Sequence, residues 1–157
     1  IHTFNQKILK KLQADARISQ DSLGQEIGIS PPAVQERIKK LERSGVIRGY
    51  RAILDPLEAG NQLTAFVLVA TKGLQFEDEF IDEVIRLPDV LECHHVTGEY
   101  SLLLKLRTAS IPVLERLLLG RIGKSSAVVR TNTLIVLSTI KEETLIDVRL
   151  TETGGAP

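Results

Sequence analysis

Methionine and tryptophan are absent from this 157-residue sequence, and cysteine, phenylalanine and tyrosine occur once, four times and twice. A single cysteine, Cys93, excludes an internal disulfide framework and indicates a cytoplasmic location. So few aromatic side chains disfavour the binding of single-stranded nucleic acid by base stacking. No apolar run approaches the ~20 residues of a membrane-spanning helix, so we expect no membrane partner. The absence of methionine, even at position 1, predicts that the sequence begins within a longer translated product.

An overall excess of either charge is also missing, because 20 Lys and Arg side chains balance 20 Asp and Glu side chains. The charges are nevertheless unevenly distributed along the chain. Residues 1–50 contain nine basic and five acidic side chains, a net charge of +4, and the remainder has a net charge of −4. This asymmetry predicts two modules with different partners, the first of them suited to a polyanion.

A predicted helix that begins after Ser30 dominates the first module. Ser30 is a favourable N-cap, and Pro31 stands at the first helical position, where a missing N–H group has no cost. Val34, Ile38 and Leu41 recur at helical spacing and predict one buried face. The opposite face carries basic and amide side chains, which is the chemistry that a DNA major groove requires. Taken alone, the same face could belong to an ordinary solvated helix, so the flanking elements decide between the two interpretations.

Two further helices are predicted before this one. Thr3 is the expected N-cap of the first helix, and Ser19 is the expected N-cap of a short second helix that ends at Gly28. Gly24 inside the second helix predicts the close approach of another helix. Two helices joined by a short turn containing Gly, with a third helix across them, form a helix-turn-helix unit. Residues 46–54 alternate loosely and predict a short hairpin, or wing.

The second half of the chain has a different pattern of apolar residues. Turn-forming residues mark a linker at 55–61, and beyond it apolar periodicity changes between the strand and helix patterns. The predicted order is β-α-β-β-α-β, a ferredoxin-like arrangement, with strands at 63–71, 90–97, 100–107 and 128–140 and helices near 76–87 and 111–122. The predicted domains are therefore 1–54, a linker at 55–61, 62–145 and a C-terminal tail at 146–157, and the fold class is α+β.

Both faces of the predicted sheet are apolar. Val67 and Val69 lie on one face of the first strand, and Phe66 and Leu68 lie on the other. Two helices cover only one face of such a sheet, and a second apolar face is rarely left in water. The simplest arrangement is a homodimer in which two copies pack sheet against sheet about a two-fold axis.

Several short motifs, taken in their order and spacing, connect this sequence with a known family. They are Lys7-Ile8-Leu9, Asp15-Ala16-Arg17-Ile18-Ser19, Gly28-Ile29-Ser30-Pro31, Val34, Arg37, Leu41-Glu42, Gly45-Val46-Ile47, Asp55-Pro56 and Val96-Thr97-Gly98-Glu99-Tyr100. With them, nearly the whole chain resembles the Lrp/AsnC (feast/famine) family of transcriptional regulators. The resemblance implies an N-terminal winged helix-turn-helix and a C-terminal effector-binding and oligomerisation (RAM) domain. It also implies dimers that assemble further into tetramers or octamers, and an amino acid or related metabolite as effector.

The chemistry of the first module agrees with double-stranded DNA as a partner. We expect four basic side chains to contact phosphates, namely Lys39, Lys40, Arg43 and Arg48. Three side chains are suited to reading base edges, namely Gln35, Glu36 and Arg37. The backbone of DNA could also approach the positive helix N-terminus near Ser30 and Pro32.

Two of these assignments have alternatives within the module. Glu36 could instead form an i,i+4 ion pair with Lys40. Arg37 could instead pair with Glu42 or Glu26.

The resemblance places the effector at one turn of the second domain, with contributions from the last strand. The implied residues are Thr97, Gly98, Glu99, Tyr100 and Ser101, with Thr131 and Thr133 as further candidates. Family members usually have a second acidic residue at the position of Ser101, where it would hold an ammonium group. Its absence here predicts an altered choice of effector, or no amino-acid effector. Glu99 could still serve an amine, although a glutamate at a hairpin tip is more often simply solvated.

Two other function classes compete with a regulator. Sirohaem-type decarboxylases resemble the family in both domains, and His94 and His95 could then donate protons or ligate iron. Neighbours on a strand point to opposite faces, so the two imidazoles cannot act on one substrate as a pair. The sequence also contains no nucleophile motif, metal-spaced cluster or Gly-rich phosphate loop, so we expect no enzyme, no cofactor and no metal. A metabolite-binding scaffold that has lost DNA binding is the third possibility.

Overall fold

In a computed structural model of the chain, the described residues are 2–149, and they divide into two compact units. Among the described residues, the first unit comprises 2–52 together with 141–149, and the second comprises Ile53–Ile140. Residues 150–157 of the predicted C-terminal tail lie outside the described residues.

Three helices form the first unit: α1 (His2–Ala14), α2 (Gln20–Ile27) and α3 (Pro31–Arg43). Ser19 and Ser30 cap α2 and α3 as predicted, since each hydroxyl accepts a hydrogen bond from a backbone N–H group three residues later. The helices enclose a small core, formed by Ile8, Leu9, Leu23, Ile27, Val34 and Leu41. The predicted helix-turn-helix is therefore present, with its third helix anchored by one apolar face.

A close backbone contact fixes the turn between α2 and α3. Gly28 adopts the left-handed conformation with φ of 81°, which ends α2. A Cβ atom at Gly24 would lie 2.5 Å from the carbonyl oxygen of Ile29. Gly24 therefore accommodates the turn itself, whereas the sequence predicted the crossing of another helix.

Two predictions for the first unit are wrong in detail. The helix α1 already begins at His2, so Thr3 lies inside it and does not cap it. Residues 46–54 form no strand in this structure, and the predicted hairpin is absent from them. Gly45, directly before this segment, has a φ of 77°, which lies outside the extended region that a strand needs.

After the last strand, the chain returns to the first unit. By their contacts, residues 141–149 belong with that unit. The Gln13 side chain donates to the backbone carbonyl of Ile146 and accepts from its N–H group, both at 2.9 Å. Val148 packs against the apolar core of the first unit. These contacts link residues far apart in sequence, so no local pattern predicts them.

The second unit contains a four-stranded antiparallel sheet with the strand order β2-β3-β1-β4. A short 3₁₀ turn (Leu74–Phe76) leads into the first of its two helices, and a π-helical segment (Leu118–Ile122) continues the second. The strands and helices in chain order are β1 (Leu63–Thr71), α4 (Glu77–Val84), β2 (Val90–His95), β3 (Leu102–Thr108), α5 (Ile111–Leu117) and β4 (Val128–Ile135). This order is the ferredoxin-like β-α-β-β-α-β pattern that the sequence predicts.

Three of the predicted strand ends are displaced. The turn between β2 and β3 is longer than expected, since β2 ends at His95 and β3 begins at Leu102. The last strand β4 ends at Ile135 and does not continue to residue 140. Beyond it, Leu137 and Ile140 are 97% and 99% exposed, so the apolar run there is not part of the sheet.

The two faces of the sheet differ in burial. Alternate residues of β1 and β3, such as Val67 and Leu104, are fully buried under residues of α4 and α5. The other face, here called the open sheet face, carries the half-buried or exposed apolar residues Phe66, Leu68, Leu103 and Leu134. The predicted pair of apolar faces is therefore present, and the two helices cover one of them.

Candidate DNA-binding helix and effector turn

The predicted DNA-contacting side chains lie on the exposed side of α3 and just beyond it. Val34 and Leu41 point into the core and fix the rotation of the helix. Exposed residues at the other helix positions and in the following segment are Pro32, Gln35, Glu36, Lys39, Lys40, Arg43 and Arg48. Within the described part of the chain, neither Glu36 nor Lys40 takes part in an ion pair, so the alternative of an i,i+4 pair between them is not observed.

Arg37 is held by contacts with α1. Its guanidinium donates to Oδ1 of Asn5 at 3.2 Å and lies over the ring of Phe4, 5.2 Å from the ring centroid. The half-buried Arg37 side chain therefore helps to join α1 and α3. The two carboxylates proposed as its alternative partners have other contacts: Glu26 pairs with Lys11, and Glu42 accepts from Tyr50.

The N-terminus of α3 keeps its positive end exposed. The Ser30 hydroxyl accepts from the N–H group of Ala33 at 3.3 Å, so this side chain is engaged as the cap. Pro31 and Pro32 have no N–H group, and the N–H groups of Ala33 and Val34 are bonded to Ser30, so the helix dipole is what favours an anion at this end.

Tyr50 ties the segment after α3 back to that helix. Its hydroxyl donates to the Glu42 carboxylate at 2.9 Å. Burial, the hydrogen bond and the charge of Glu42 together raise the pKa of Tyr50 to about 12. This contact positions the segment that carries Arg48. Sequence reasoning missed it, because a loop residue that folds back onto a preceding helix leaves no periodic signal.

The predicted effector residues 97–101 form the turn that joins β2 to β3. The N–H group of Val96 donates to the carbonyl of Ser101, and the N–H group of Ser101 donates to the carbonyl of Val69, both at 2.9 Å. Gly98 has a φ of 109°, a conformation that favours glycine. The turn is therefore closed at its base and attached to β1.

On one side of this turn a cation lies against an aromatic ring. The guanidinium of Arg130 lies 4.9 Å from the centroid of Tyr100 and 3.5 Å from the Glu99 carboxylate, which is 84% exposed. Sequence reasoning did not select Arg130. Only the pairing of β4 with β1 brings it to this turn.

Thr131 and Thr133 lie apart from the other effector candidates. They stand opposite Val69 and Val67, which point toward the helices, whereas Arg130 stands opposite Ala70 on the other face. Among the described residues, no hydrogen bond joins either threonine to the turn. Their role in binding an effector stays a prediction.

A buried carboxylate lies on the other side of the turn. Glu77 is 2% exposed and bonds to Thr71 and His95, and the Ser101 hydroxyl lies 3.3 Å from Thr71 Oγ1. Burial raises the pKa of Glu77, but these three polar side chains outweigh it, and the net pKa is lowered. Sequence reasoning missed Glu77, since an acidic residue at a helix start is ordinary and its partners come from three other segments.

The two adjacent histidines point to opposite faces, as predicted. His95 stands opposite Leu102 and contacts Glu77 at 3.0 Å, whereas His94 stands opposite Leu103 and contacts Glu92 at 2.9 Å. Among residues 2–149 no three His, Cys, Asp or Glu side chains are grouped as a metal site would require. In the same part of the chain, no helix is long and apolar enough to cross a membrane.

Comparison with known families covers almost the whole described chain. A family model described as winged helix-turn-helix DNA-binding matches residues 2–48, and the Lrp/AsnC ligand binding domain matches residues 64–146. The HTH-type transcriptional regulator FL11 of Pyrococcus horikoshii is 34% identical over 146 residues, which are 93% of this chain and 95% of the relative. The leucine-responsive regulatory protein of Haemophilus influenzae is 37% identical over 87% of this chain and 83% of its own.

Solved structures show the same architecture. Escherichia coli AsnC superimposes with a TM-score of 0.87 at 28% identity, covering 92% of this chain and 97% of that one. A Neisseria meningitidis transcriptional regulator in complex with L-methionine also gives 0.87, at 29% identity over 92% and 94% of the two chains. The two relatives are named as an HTH-type transcriptional regulator and a regulatory protein, which confirms the expectation that this chain is not an enzyme. The chain belongs to the Lrp/AsnC family and is a DNA-binding transcriptional regulator.

Proposed function

We propose that the exposed side of α3 is the surface that contacts double-stranded DNA. The single observation that supports this proposal is the placement of Lys39, Lys40 and Arg43 on the face opposite the buried Val34 and Leu41. Cations on an exposed helix face add affinity through phosphates, without sequence information. Because DNA is the partner, we also propose a cytoplasmic location.

Base recognition is assigned to Gln35 and Glu36, since both side chains are exposed on α3. An amide can bind adenine with two hydrogen bonds, and a carboxylate accepts from the amino group of cytosine. Arg37 is kept as a third candidate, although a base contact would compete with its contacts to Asn5 and Phe4.

The experiment compares DNA from the region upstream of the chain's own gene with a scrambled duplex of equal length and composition. We expect the wild-type chain to prefer the upstream duplex, and Gln35→Ala to reduce that preference by about tenfold, which is the effect of one lost base contact. Gln25→Ala, an exposed amide on α2, is the matched control and should retain the preference. Equal affinity of the wild-type chain for both duplexes would contradict sequence-specific regulation.

We further propose that an amino acid or related small metabolite modulates this binding from the turn at residues 97–101. Supporting observations are the match to the Lrp/AsnC ligand binding domain and the L-methionine complex of the Neisseria meningitidis relative. The turn offers backbone groups at Gly98, a carboxylate at Glu99 and an arginine at position 130 for a ligand with both charges. Because Ser101 is not acidic, the preferred effector differs from that of relatives with an acid there.

Calorimetric titration of the full chain with the common amino acids tests the effector proposal. We expect saturable binding of one of them or of a related amine, and loss of that binding in Gly98→Val, because a branched side chain disfavours the φ of 109°. Gly60→Val, at a φ of 86° in the linker, is the control for strain away from the turn. Binding that survives Gly98→Val, or no binding of any common amino acid or related amine, would contradict the proposal.

A homodimer, with further assembly to a tetramer or octamer, completes the proposed function. The open sheet face is apolar at Phe66, Leu68, Leu103 and Leu134, and within the described chain no helix covers it. A two-fold axis that stacks two such faces would bury these side chains against their own copies. Two recognition helices related by that axis would then address half-sites about 34 Å or a multiple apart.

A further inference from the structure

Glu77, in the second unit, has no role in the function proposed above. The residue opens α4, and its side chain is as buried as a core leucine, at 2% exposed. A buried carboxylate is costly unless hydrogen bonds satisfy its oxygens. Its presence at this position therefore indicates a specific set of partners.

The partners come from both ends of the effector turn. Nε2 of His95, immediately before the turn, lies 3.0 Å from Oε2 of Glu77. Thr71, at the end of β1, donates a hydrogen bond to Oε1 of Glu77. The hydroxyl of Ser101, the last residue of the turn, lies 3.3 Å from Thr71 Oγ1 and so reaches the carboxylate through Thr71. One carboxylate thus links the two ends of the turn to each other and to β1.

The surroundings favour the ionised carboxylate. The polar side chains around it lower the pKa of Glu77 despite its burial, and the first turn of α4 adds a favourable dipole. The nearby thiol of Cys93 responds to the same negative charge, because burial and the charge of Glu77 both raise its pKa. Glu99 differs from Glu77 in burial and in partner. Its side chain is exposed, and its carboxylate lies 3.5 Å from the guanidinium of Arg130.

We propose that Glu77 is the positioning residue of the effector turn, and that it requires a neutral hydrogen-bond donor at position 101. The proposal rests on the proposed function of that turn in binding an effector. Glu77 fixes the separation of His95 and Ser101 and so sets the shape of residues 96–101 before a ligand arrives. The buried carboxylate of this site therefore comes from α4, whereas the exposed carboxylate of Glu99 belongs to the turn.

A specific incompatibility follows from this arrangement. An aspartate at position 101 would place a second carboxylate beside Glu77, and two carboxylates at hydrogen-bond distance cannot both ionise without a large cost. The Ser101→Asp variant should therefore open the turn in the native chain. Neutralising position 77 with Glu77→Gln should remove the conflict, because the amide can donate to the new carboxylate.

Hydrogen exchange of the full chain, measured without DNA or effector, tests the proposal. The reporter is the Val96 N–H group, which donates to the Ser101 carbonyl. We expect Ser101→Asp to speed its exchange by about tenfold and the Glu77→Gln/Ser101→Asp double variant to restore it to within about threefold of wild type. Glu79→Gln, which removes an exposed carboxylate from the same first turn of α4, is the matched control and should leave the exchange of Val96 unchanged. The exchange of the Leu104 amide, in the core, should be the same in every variant.

Two outcomes would overturn the proposal. One is Ser101→Asp exchange equal to that of wild type, and the other is a double variant that exchanges faster than Ser101→Asp alone. If Ser101→Asp does not fold, Ser101→Ala replaces it, and this change should speed exchange several-fold in the native chain but not in a Glu77→Ala background. Equal effects in both backgrounds would contradict the role of Glu77. Because no ligand is present, failure here leaves the effector titration to judge the proposed function separately.

Discussion

The Arg37 side chain shows how a single contact changes the interpretation of a residue. Its position on α3 and its guanidinium suit guanine recognition. In the folded unit, however, the same group bonds Asn5 and covers the ring of Phe4 on α1. A residue with these contacts contributes to the stability of the helix-turn-helix whether or not it also meets DNA.

Replacing Arg37 should therefore lower stability. We expect Arg37→Ala to reduce the free energy of unfolding by about 1–2 kcal/mol, from one part-buried hydrogen bond and one cation–π contact. Urea unfolding followed by circular dichroism measures this change. Gln35→Ala, exposed on the same helix, should change it by less than about 0.5 kcal/mol. A loss equal to that of Gln35→Ala would contradict a structural role for Arg37.

The Glu77 carboxylate makes stability depend on pH. Its pKa in the folded chain is lowered from the ordinary value of 4.5, so its contribution is fully present above that value. The contribution is lost as the pH falls through the folded pKa, when the native state must take up the proton. Urea unfolding at a series of pH values from 6 down to below 4.5 measures the free energy of unfolding. We expect this free energy to fall less with pH in Glu77→Gln than in the wild-type chain.

A comparison with Glu92 makes this test specific. The pKa of Glu92 is lowered as well, because the hydrogen bond to His94 and the attraction of Lys105 outweigh the opposing effect of burial. Glu92 is nearly half exposed, so Glu92→Gln should reduce the acid sensitivity less than Glu77→Gln does. Identical acid sensitivity of wild type and Glu77→Gln would contradict the assigned ionisation.

At the scale of elements, the turn between α2 and α3 depends on a glycine inside a helix. Helix propensity alone predicts that Gly24→Ala stabilises the chain by about 1 kcal/mol. The Ile29 carbonyl oxygen, 2.5 Å from the position of the new Cβ, reverses this expectation. We expect Gly24→Ala to destabilise the chain by about 1–3 kcal/mol and to weaken DNA binding, since α3 must shift.

Gly120 is the matched control for this change. It lies in the π-helical segment after α5, and a Cβ there would meet no atom within 4 Å. Gly120→Ala should therefore be neutral or slightly stabilising in thermal unfolding. A Gly24→Ala variant that is as stable as Gly120→Ala would show that the turn adapts freely.

Local signals predicted most of the elements, because caps and periodic apolar residues act within one helix or strand. Ser19, Ser30 and the β-α-β-β-α-β order follow from such signals. Predictions failed where the deciding contact is distant or irregular. The expected wing at 46–54 is absent, and Tyr50 of that segment bonds back to Glu42 of α3. The contact of Gln13 with Ile146 joins residues far apart in sequence and also has no local signal.

Of the two candidate sites, one could be predicted from local signals and the other could not. The exposed side of α3 could be predicted, since burying Val34 and Leu41 fixes which residues remain outside. The surroundings of the effector turn could not, because Arg130 and Glu77 reach it only through sheet pairing and the packing of α4.

For the whole molecule, the open sheet face is the expected contact between copies. We expect Leu68→Asp to convert the assembly to monomers, because it places a charge beside Leu103 on the face that packs against its own copy. Analytical ultracentrifugation measures the change at several concentrations. Leu119→Asp, at an exposed leucine after α5, is the control and should retain the dimer. A wild-type chain that sediments as a monomer, or a dimer that survives Leu68→Asp, would contradict this interface.

The DNA contact of α3 is tested most directly by a salt series of binding to the upstream duplex, followed by fluorescence anisotropy. The wild-type chain is compared with Lys39→Ala/Lys40→Ala and with Lys7→Ala/Lys10→Ala, which removes the same charge from exposed positions on α1. Each lost phosphate contact lowers the slope of log affinity against log salt by about 0.9. We expect the α3 variant to lose about two units of slope and the α1 variant to match wild type. Equal slopes for all three chains, or no binding by wild type, would contradict a regulator that contacts DNA through this helix.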